Sequence, residues 1–483
     1  MSRRSVPERW TSLDTDLKRV TRVEAAAMFV SRPLVGLGIA LFLIALAALA
    51  AGIVTPSGSG LVVLATAFGA YMALNIGAND VANNMGPAVG AKALSMTGAI
   101  AIAAICESAG ALLGGADVVA TISRGIVGPE SFQGTEAFTL TMMGGLLGAA
   151  IWVNIATWIG APVSTTHSIV GGVLGAGAAS AGLAAVSWGT MAAIASSWVA
   201  APVLGGVIAG LVLAGVNAAI LDREDRVTAA RMWVPVLIGI MATAFATYLA
   251  MKGLGHVVRI GPGRALAIGV PVGILAALAS RPFVAERAGE EATLESLFRL
   301  PLIVSAAFLS FAHGANDVAN AVGPVAAIVG AEAQGAVPSA VAVPRWVMVI
   351  GAAGISFGLI LFGPRLIRMV GKQITKLNPV RAYCISLAAA VTVIAASWLG
   401  LPVSSTHTVI GGIFGVGFYR EWRADRKLGR SQQSGKGLAR EERRRRKLVR
   451  RSHFMTIVAA WAITVPAAAL LSALAASVLH WLA

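Results

Sequence analysis

Seven residues, Gly-Ala-Asn-Asp-Val-Ala-Asn, are written twice in this chain of 483 residues, at 77–83 and 314–320, each time inside an apolar stretch. A carboxylate at membrane depth costs about 2.5–3.5 kcal/mol on insertion scales, so it persists where it faces a cavity or a partner. Two such copies therefore specify a two-fold polar site within an apolar fold.

A second pair follows at nearly the same interval. Residues 160–177 read GAPVSTTHSIVGGVLGAG and residues 400–417 read GLPVSSTHTVIGGIFGVG. Asn79 and Asn316 are 237 residues apart (316 minus 79), and His167 and His407 are 240 apart (407 minus 167). Two motifs in the same order at the same offset define an internal repeat, the mark of many secondary transporters. With 57% hydrophobic and 12% charged residues, the chain cannot present an ordinary charged surface to water and reads as an integral membrane protein. Cys106 and Cys384 lie in apolar runs as small core residues, so neither a disulfide framework nor a cysteine metal site is indicated.

The net charge of +16 is concentrated at two places. Arg3, Arg4, Arg9, Lys18, Arg19 and Arg22 precede the first apolar stretch, and residues 420–451 carry the run Arg443-Arg444-Arg445-Arg446-Lys447. Beside membrane spans, such segments mark the cytoplasmic side and touch anionic lipid; nucleic acid is not the expected partner. The opening residues are too long and too mixed in charge for a signal peptide, so the first apolar stretch reads as a retained span.

Apolar stretches near the length needed to span lie at 34–53, 61–78, 98–115, 138–159, 191–218, 233–251, 265–279, 301–312, 346–362, 382–399 and 455–482. Shorter pieces follow all four motifs, and Gly86-Pro87, Gly323-Pro324, Pro162 and Pro402 are expected to interrupt the helices there. Roughly twelve membrane elements of an all-α, polytopic fold result. Loops are expected at 221–231, 281–299 and 430–437. The organisation is a basic cytoplasmic tail (1–33), an extra span and loop (34–60), a first repeat (61–220), connecting spans and loop (221–299), a second repeat (300–420), a basic cytoplasmic loop (421–453) and a last span (454–483).

In Pro162-Val163-Ser164-Thr165-Thr166-His167, hydroxyls behind a proline read as a helix N-terminus, positive and rich in donors; Pro402 to His407 supply the same groups from the other half. Two such clusters could enclose a tetrahedral oxyanion such as phosphate or sulfate. Asp80 and Asp317 have the wrong sign beside an anion unless cations travel with it, either a hard cation such as Na⁺ or a proton on a desolvated acid. Glu107 is a third intramembrane acid and a candidate proton or cation ligand. His167 and His407 are expected to hydrogen-bond and orient neighbouring backbone. Ser164, His167 and Asp80 could also be read as a nucleophile, base and orienter of an intramembrane hydrolase, but that gives no reason for an equivalent set in the second half.

On these four motifs the chain resembles the PiT family of inorganic phosphate transporters, over nearly all of its length from about Leu61. The resemblance implies two inverted repeats with broken or re-entrant helices, orthophosphate as substrate, and symport with Na⁺ or H⁺ rather than a bound cofactor. It carries the cation and phosphate-site roles to Asn79, Asp80, Asn83, Asn316, Asp317 and Asn320, the phosphate-binding hydroxyls to Ser164, Thr165, Thr166, Ser404, Ser405 and Thr406, and an important acid to Glu107. In the second repeat, where many members have a glutamate, this chain has Ser386. That asymmetry favours H⁺ as the coupling ion. The expected setting is a multi-pass protein of a bacterial inner membrane, possible as a homo-oligomer, taking free phosphate or a metal–phosphate complex; a permease for sulfate or another oxyanion is the alternative. Acids beside the site favour phosphate, whose protonated forms donate a hydrogen bond that sulfate cannot.

Overall fold

In a bilayer every backbone N–H and C=O must be satisfied within the protein, and an apolar chain meets that demand most locally as α-helix. The computed structural model describes residues 34–55, 59–159, 161, 163–253, 260–286, 293–337, 343–373, 378–432 and 451–483; the basic tail, the Arg443–Lys447 run, Gly160 and Pro162 lie outside these. The helices are α1 (Leu34–Val54), α2 (Gly60–Gly90), α3 (Met96–Gly114), α4 (Ala116–Arg124), α5 (Thr135–Ile159), α6 (Thr165–Ala181), α7 (Trp188–Val216), α8 (Arg226–Lys252), α9 (Pro262–Glu286), α10 (Leu294–Leu297), α11 (Arg299–Gln334), α12 (Arg345–Gln373), α13 (Pro379–Trp398), α14 (Ser405–Gln432) and α15 (Arg451–Leu482). Among the described residues, eleven helices are long and apolar enough to cross a membrane.

The duplication reappears as a mirrored packing scheme. α2, α3, α5, α6 and α7 have counterparts in α11, α12, α13, α14 and α15. α2 packs on α12 as α11 packs on α3, and α15 packs on α5 and α6 as α7 packs on α13 and α14. Each repeat thus lends helices to the other. The equivalent helices α2 and α11 run antiparallel: Gly69 faces Ala321 and Val325, whereas Asp80, further along α2, faces His313, earlier on α11. α8 and α9 pack chiefly on each other.

Glycine permits the closest crossings. A Cβ at Gly77 would strike the backbone of Ile355, and one at Gly314 the backbone of Glu107. Gly358 on Leu74 and Gly110 on Phe311 complete the same pattern, so α12 and α3 lie backbone to backbone against the two motif helices.

Several expectations change. α2 and α11 do not break at the septapeptides or at Gly86-Pro87 and Gly323-Pro324; both run helical through Pro87 and Pro324. A proline forfeits one backbone bond, which a packed membrane helix tolerates. Among the described residues, the breaks at the motifs fall before the hydroxyl rows, between α5 and α6 and between α13 and α14. At the second break Gly400 adopts φ +69°, a left-handed turn suited to glycine, and its carbonyl accepts from Thr121 Oγ1 at 2.7 Å. Two loops are shorter than expected: α8 starts at Arg226, α9 reaches Glu286 and α10 lies inside the 281–299 stretch. Of the expected loop at 430–437, residues 430–432 are the end of α14 and 433–437 lie outside the described residues.

Candidate functional site

α6 and α14 begin where the sequence places donors. Ser164 Oγ accepts from the His167 backbone N–H at 3.1 Å, and Ser404 Oγ accepts from that of His407 at 3.3 Å, so each first serine is the N-cap of its helix. Ser164 therefore engages the backbone of His167, not its ring. The two histidine rings meet edge-on with centroids 4.6 Å apart, and that of His167 lies 3.9 Å from Trp198. The two rings therefore pack face to edge between the starts of α6 and α14.

The septapeptide asparagines divide into two roles. Asn316 donates to Ser397 Oγ (2.9 Å) and the Leu401 carbonyl (3.2 Å) and accepts from Val403 N–H (3.2 Å), stapling the break between α13 and α14. Asn79 does the same in the first half: it holds Thr157 Oγ1 at 2.8 Å and, with its amide turned to satisfy both partners, donates to the Val163 carbonyl at 3.2 Å. These two hold the helix ends in place. Asn83 and Asn320 instead point to the hydroxyl rows, donating to Thr406 Oγ1 (2.7 Å) and Thr166 Oγ1 (3.3 Å).

Asp80 and Asp317 sit where those rows converge, 1% and 0% exposed. Thr165 Oγ1 donates to Asp80 Oδ2 at 2.8 Å and Thr406 Oγ1 to Oδ1 at 3.4 Å. Thr166 Oγ1 donates to Asp317 Oδ1 at 3.2 Å and Ser405 Oγ to Oδ2 at 3.5 Å. Each carboxylate thus holds one hydroxyl from its own repeat and one from the other. Hydrogen bonds to a charged group contribute about 1.5–3 kcal/mol each, enough to close the two halves over the centre. The site is shut in this structure, with its side chains in direct mutual contact.

Sequence reasoning missed the residue at the middle. His313, completely buried, has Nε2 2.8 Å from Asp317 Oδ2 and 3.7 Å from Asp80 Oδ2, and Nδ1 3.3 Å from Glu107 Oε2. Asn84, also missed, donates to Glu107 Oε1 at 2.8 Å. Glu107 is completely buried and joins the cluster from α3. Its position in the second repeat is not Ser386, which lies on α13. Gly314 packs on Glu107 as Gly77 packs on Ile355, and Ser108 bonds its equivalent Ser356 at 2.6 Å, so Ile355 on α12 is the counterpart. The second half therefore does lack the acid, at a different residue. Asp80, His313 and Asp317 offer three ligand atoms within 4.8 Å of one another, the geometry of a cation site.

Residues 76–472, which include every element of this centre, match the phosphate transporter family. The chain belongs to that family. A Helicobacter pylori relative, provisionally named a phosphate permease, is 45% identical over 415 residues, covering 84% of this chain and 78% of that protein. The chloroplastic inorganic phosphate transporter 2-1 of Arabidopsis thaliana is 35% identical over 435 residues, covering 84% and 70%. A solved sodium-dependent phosphate transporter superposes with a TM-score of 0.79 at 32% identity, covering 88% of this chain and 100% of that one. This phosphate transporter is therefore an integral, multi-pass, all-helical protein and not an enzyme, which retires the hydrolase reading. Its centre combines donor-rich helix ends with buried acids.

Proposed function

We propose that the transporter carries inorganic phosphate by symport with a cation, with H⁺ as the coupling ion. The observation that carries this reading is the sharing of Asp80 and Asp317 between hydroxyls of both repeats. Phosphate placed between the starts of α6 and α14 takes over the hydroxyls of Ser164, Thr165 and Thr166 and of Ser404, Ser405 and Thr406, which now donate to its oxygens. Asp80 and Asp317 then lose their donors and must be neutralised. His313, with Glu107 behind it, is the group through which a proton reaches them. Loading the anion and loading the cation are thereby one event.

A second reading has its own support. Asp80, Thr165, Thr406 and Asn83 form an oxygen-rich set suited to Na⁺, repeated at Asp317, Ser405, Thr166 and Asn320, and the solved relative is sodium-dependent by name. Proteoliposomes separate the two. With an inward proton gradient and no Na⁺, labelled phosphate should accumulate, and Glu107→Gln should alter the ion dependence. Uptake that follows an imposed Na⁺ gradient and ignores the proton gradient overturns H⁺ coupling. Sulfate in excess should compete poorly with phosphate.

Removing a cap hydroxyl probes the anion side. Ser164→Ala and Ser404→Ala are each expected to weaken phosphate binding about ten- to a hundredfold, the effect of about 1.5–3 kcal/mol for a donor to a charged group. Isothermal titration of purified protein with phosphate reads this directly. A change confined to the cation dependence would assign these hydroxyls to the ion instead.

The antiparallel run of α2 and α11 supports an inverted relation of the repeats across a bilayer. That bilayer is a bacterial inner membrane in this reading, with the basic segments on its cytoplasmic, anionic face.

A further inference from the structure

We propose that Thr121 is a positioning residue for transport, a latch that holds the turn between α13 and α14 shut over the centre, and that Lys252 of α8 keeps this latch in place through Asp117. The inference rests on transport alone, not on which ion is coupled or which hydroxyls hold the anion.

A transporter opens its centre to each side of the membrane in turn, so a part that moves must cover the centre on each side. On one side the turn at 399–404 is that part. Three of its carbonyls accept from side chains. Those of Leu401 and Val403 accept from Asn316 and Thr166, each at 3.2 Å, and both donors belong to the centre. The Gly400 carbonyl accepts instead from Thr121 Oγ1 at 2.7 Å, on α4, a helix that supplies no side chain to the centre.

The geometry of the turn depends on this contact. A Cβ at Gly400 would lie 3.4 Å from the Asp117 carbonyl and 3.7 Å from Thr121 Oγ1, so α4 rests directly on the turn. The bond joins two neutral groups, and water satisfies both once they part. A bond of that kind closes the turn yet breaks in every cycle.

A helix of nine residues such as α4 does not hold itself in position and needs tertiary partners. Gly115 at its start lies against Val318 of α11 and Met348 of α12. From outside, Lys252, the last residue of α8, donates from Nζ to Asp117 Oδ2 at 2.5 Å, with the lysine side chain only 20% exposed. α8 is itself fixed to α11, where Phe245 meets Phe308 and Phe311 edge-on at 5.2 and 4.9 Å. Tyr248, one turn before Lys252, places its hydroxyl over Gly114. A helix outside the five-helix correspondence of the repeats thus sets the position of the latch.

The ion pair belongs to one half only. The offset of 248 that relates Ser108 to Ser356 puts Arg365 where Asp117 stands, and a lysine cannot pair with it. The face that this latch closes is also defined. Ser59, before α2, and Thr139, near the start of α5, both donate to Glu332 near the end of α11, which brings those ends to the face towards which α4 runs. Leu34 and Gln432, the described residues next to the two basic segments, lie at the far ends of α1 and α14. In the orientation proposed above, the latch closes the outer side.

The test reads access in the full chain, in intact cells without phosphate. Cys106→Ala and Cys384→Ala remove the native thiols, and Val403→Cys, at a buried position of the turn, is the reporter, with Leu401→Cys as a second. Labelling by a membrane-impermeant thiol reagent added outside measures how often the turn lifts. Thr121→Val keeps the shape and removes the hydroxyl, and should speed labelling about two- to tenfold, the effect of one net hydrogen bond. It should also lower the external phosphate concentration for half-maximal uptake, because more of the transporter is open to the outside. Thr121→Ser keeps the hydroxyl and should match the wild type. Asp117→Asn and Lys252→Gln should also speed labelling, and adding either to Thr121→Val should do little more, since the latch is already released. A role in folding alone would lower the thermal midpoint without changing labelling. Labelling in Thr121→Val and Asp117→Asn no faster than in the reference, or the same in Thr121→Val as in Thr121→Ser, overturns the latch. Because access is read without substrate or an imposed gradient, that failure leaves the proposed coupling standing, and uptake that ignores a proton gradient leaves the latch standing.

Discussion

Asp80→Asn and Asp317→Asn should each abolish phosphate uptake while the protein still inserts and purifies as a single species. The substitution keeps the volume and leaves one oxygen to accept from one of the two hydroxyls, Thr165 or Thr406 at Asp80 and Thr166 or Ser405 at Asp317, while the amide nitrogen can donate to the oxygen of the other. What it removes is the charge that compels a cation to accompany the anion. Labelled phosphate uptake in proteoliposomes checks this, with a loss of at least about a hundredfold if one charge-assisted contact of about 3 kcal/mol is the minimum at stake. Near-wild-type uptake in both variants would refute the central assignment. The pair is informative together: each aspartate holds hydroxyls of both repeats, so the two losses should match in size even though only one side carries His313 and Glu107.

Gly77→Val and Gly314→Val should prevent assembly altogether, and the alanine variants should lower the thermal midpoint in detergent by several degrees or more. A side chain at either position overlaps the backbone of the facing helix, and backbone does not yield as the tip of a flexible side chain does. Overpacking costs about 1–3 kcal/mol and occasionally more. Gly38→Ala is the control, because nothing lies within 4 Å of the added carbon. Fluorescence-detected gel filtration and a thermal ramp distinguish the outcomes. Wild-type behaviour of Gly77→Ala and Gly314→Ala would mean that these helices do not cross as closely as described.

Much of this centre was legible in the sequence because duplication advertises it. A buried aspartate is unusual once and informative twice, and the serine and threonine rows announce helix starts by the chemistry of capping. The partners were not legible. Sequence spacing places Thr165 near the start of α6 and Asp80 on α2, but nothing local says that Thr406 of the far half shares Asp80. The proline rule misled at Pro87 and Pro324, where tertiary packing outweighs one lost backbone bond. His313 and Asn84 escaped because attention rested on what the two copies share. Their signal lay in the flanks, where His313 precedes the second septapeptide and Ile76 the first, and where Asn84 follows the first and Ala321 the second. Glu107 was visible, but its counterpart was sought along α13. The helix packed against α2 is α12, a fact of three-dimensional pairing that offset counting within one motif does not reach.

The exchange of helices between repeats bears on how the chain is made. Gly171 and Gly175 of α6 rest against the backbone of Val465 and Ala469 on α15, so residues 171 and 465 meet across 294 positions of chain (465 minus 171). Contacts of such long range form late, after the entropy of a large loop has been lost. The first repeat leaves the ribosome with its short helix α6 lacking the partner that covers its glycine face. It waits through the synthesis of the entire second repeat. α15 is thus the closing piece of the first half, and α6 is secured in lipid only by a helix made after the rest of the second repeat.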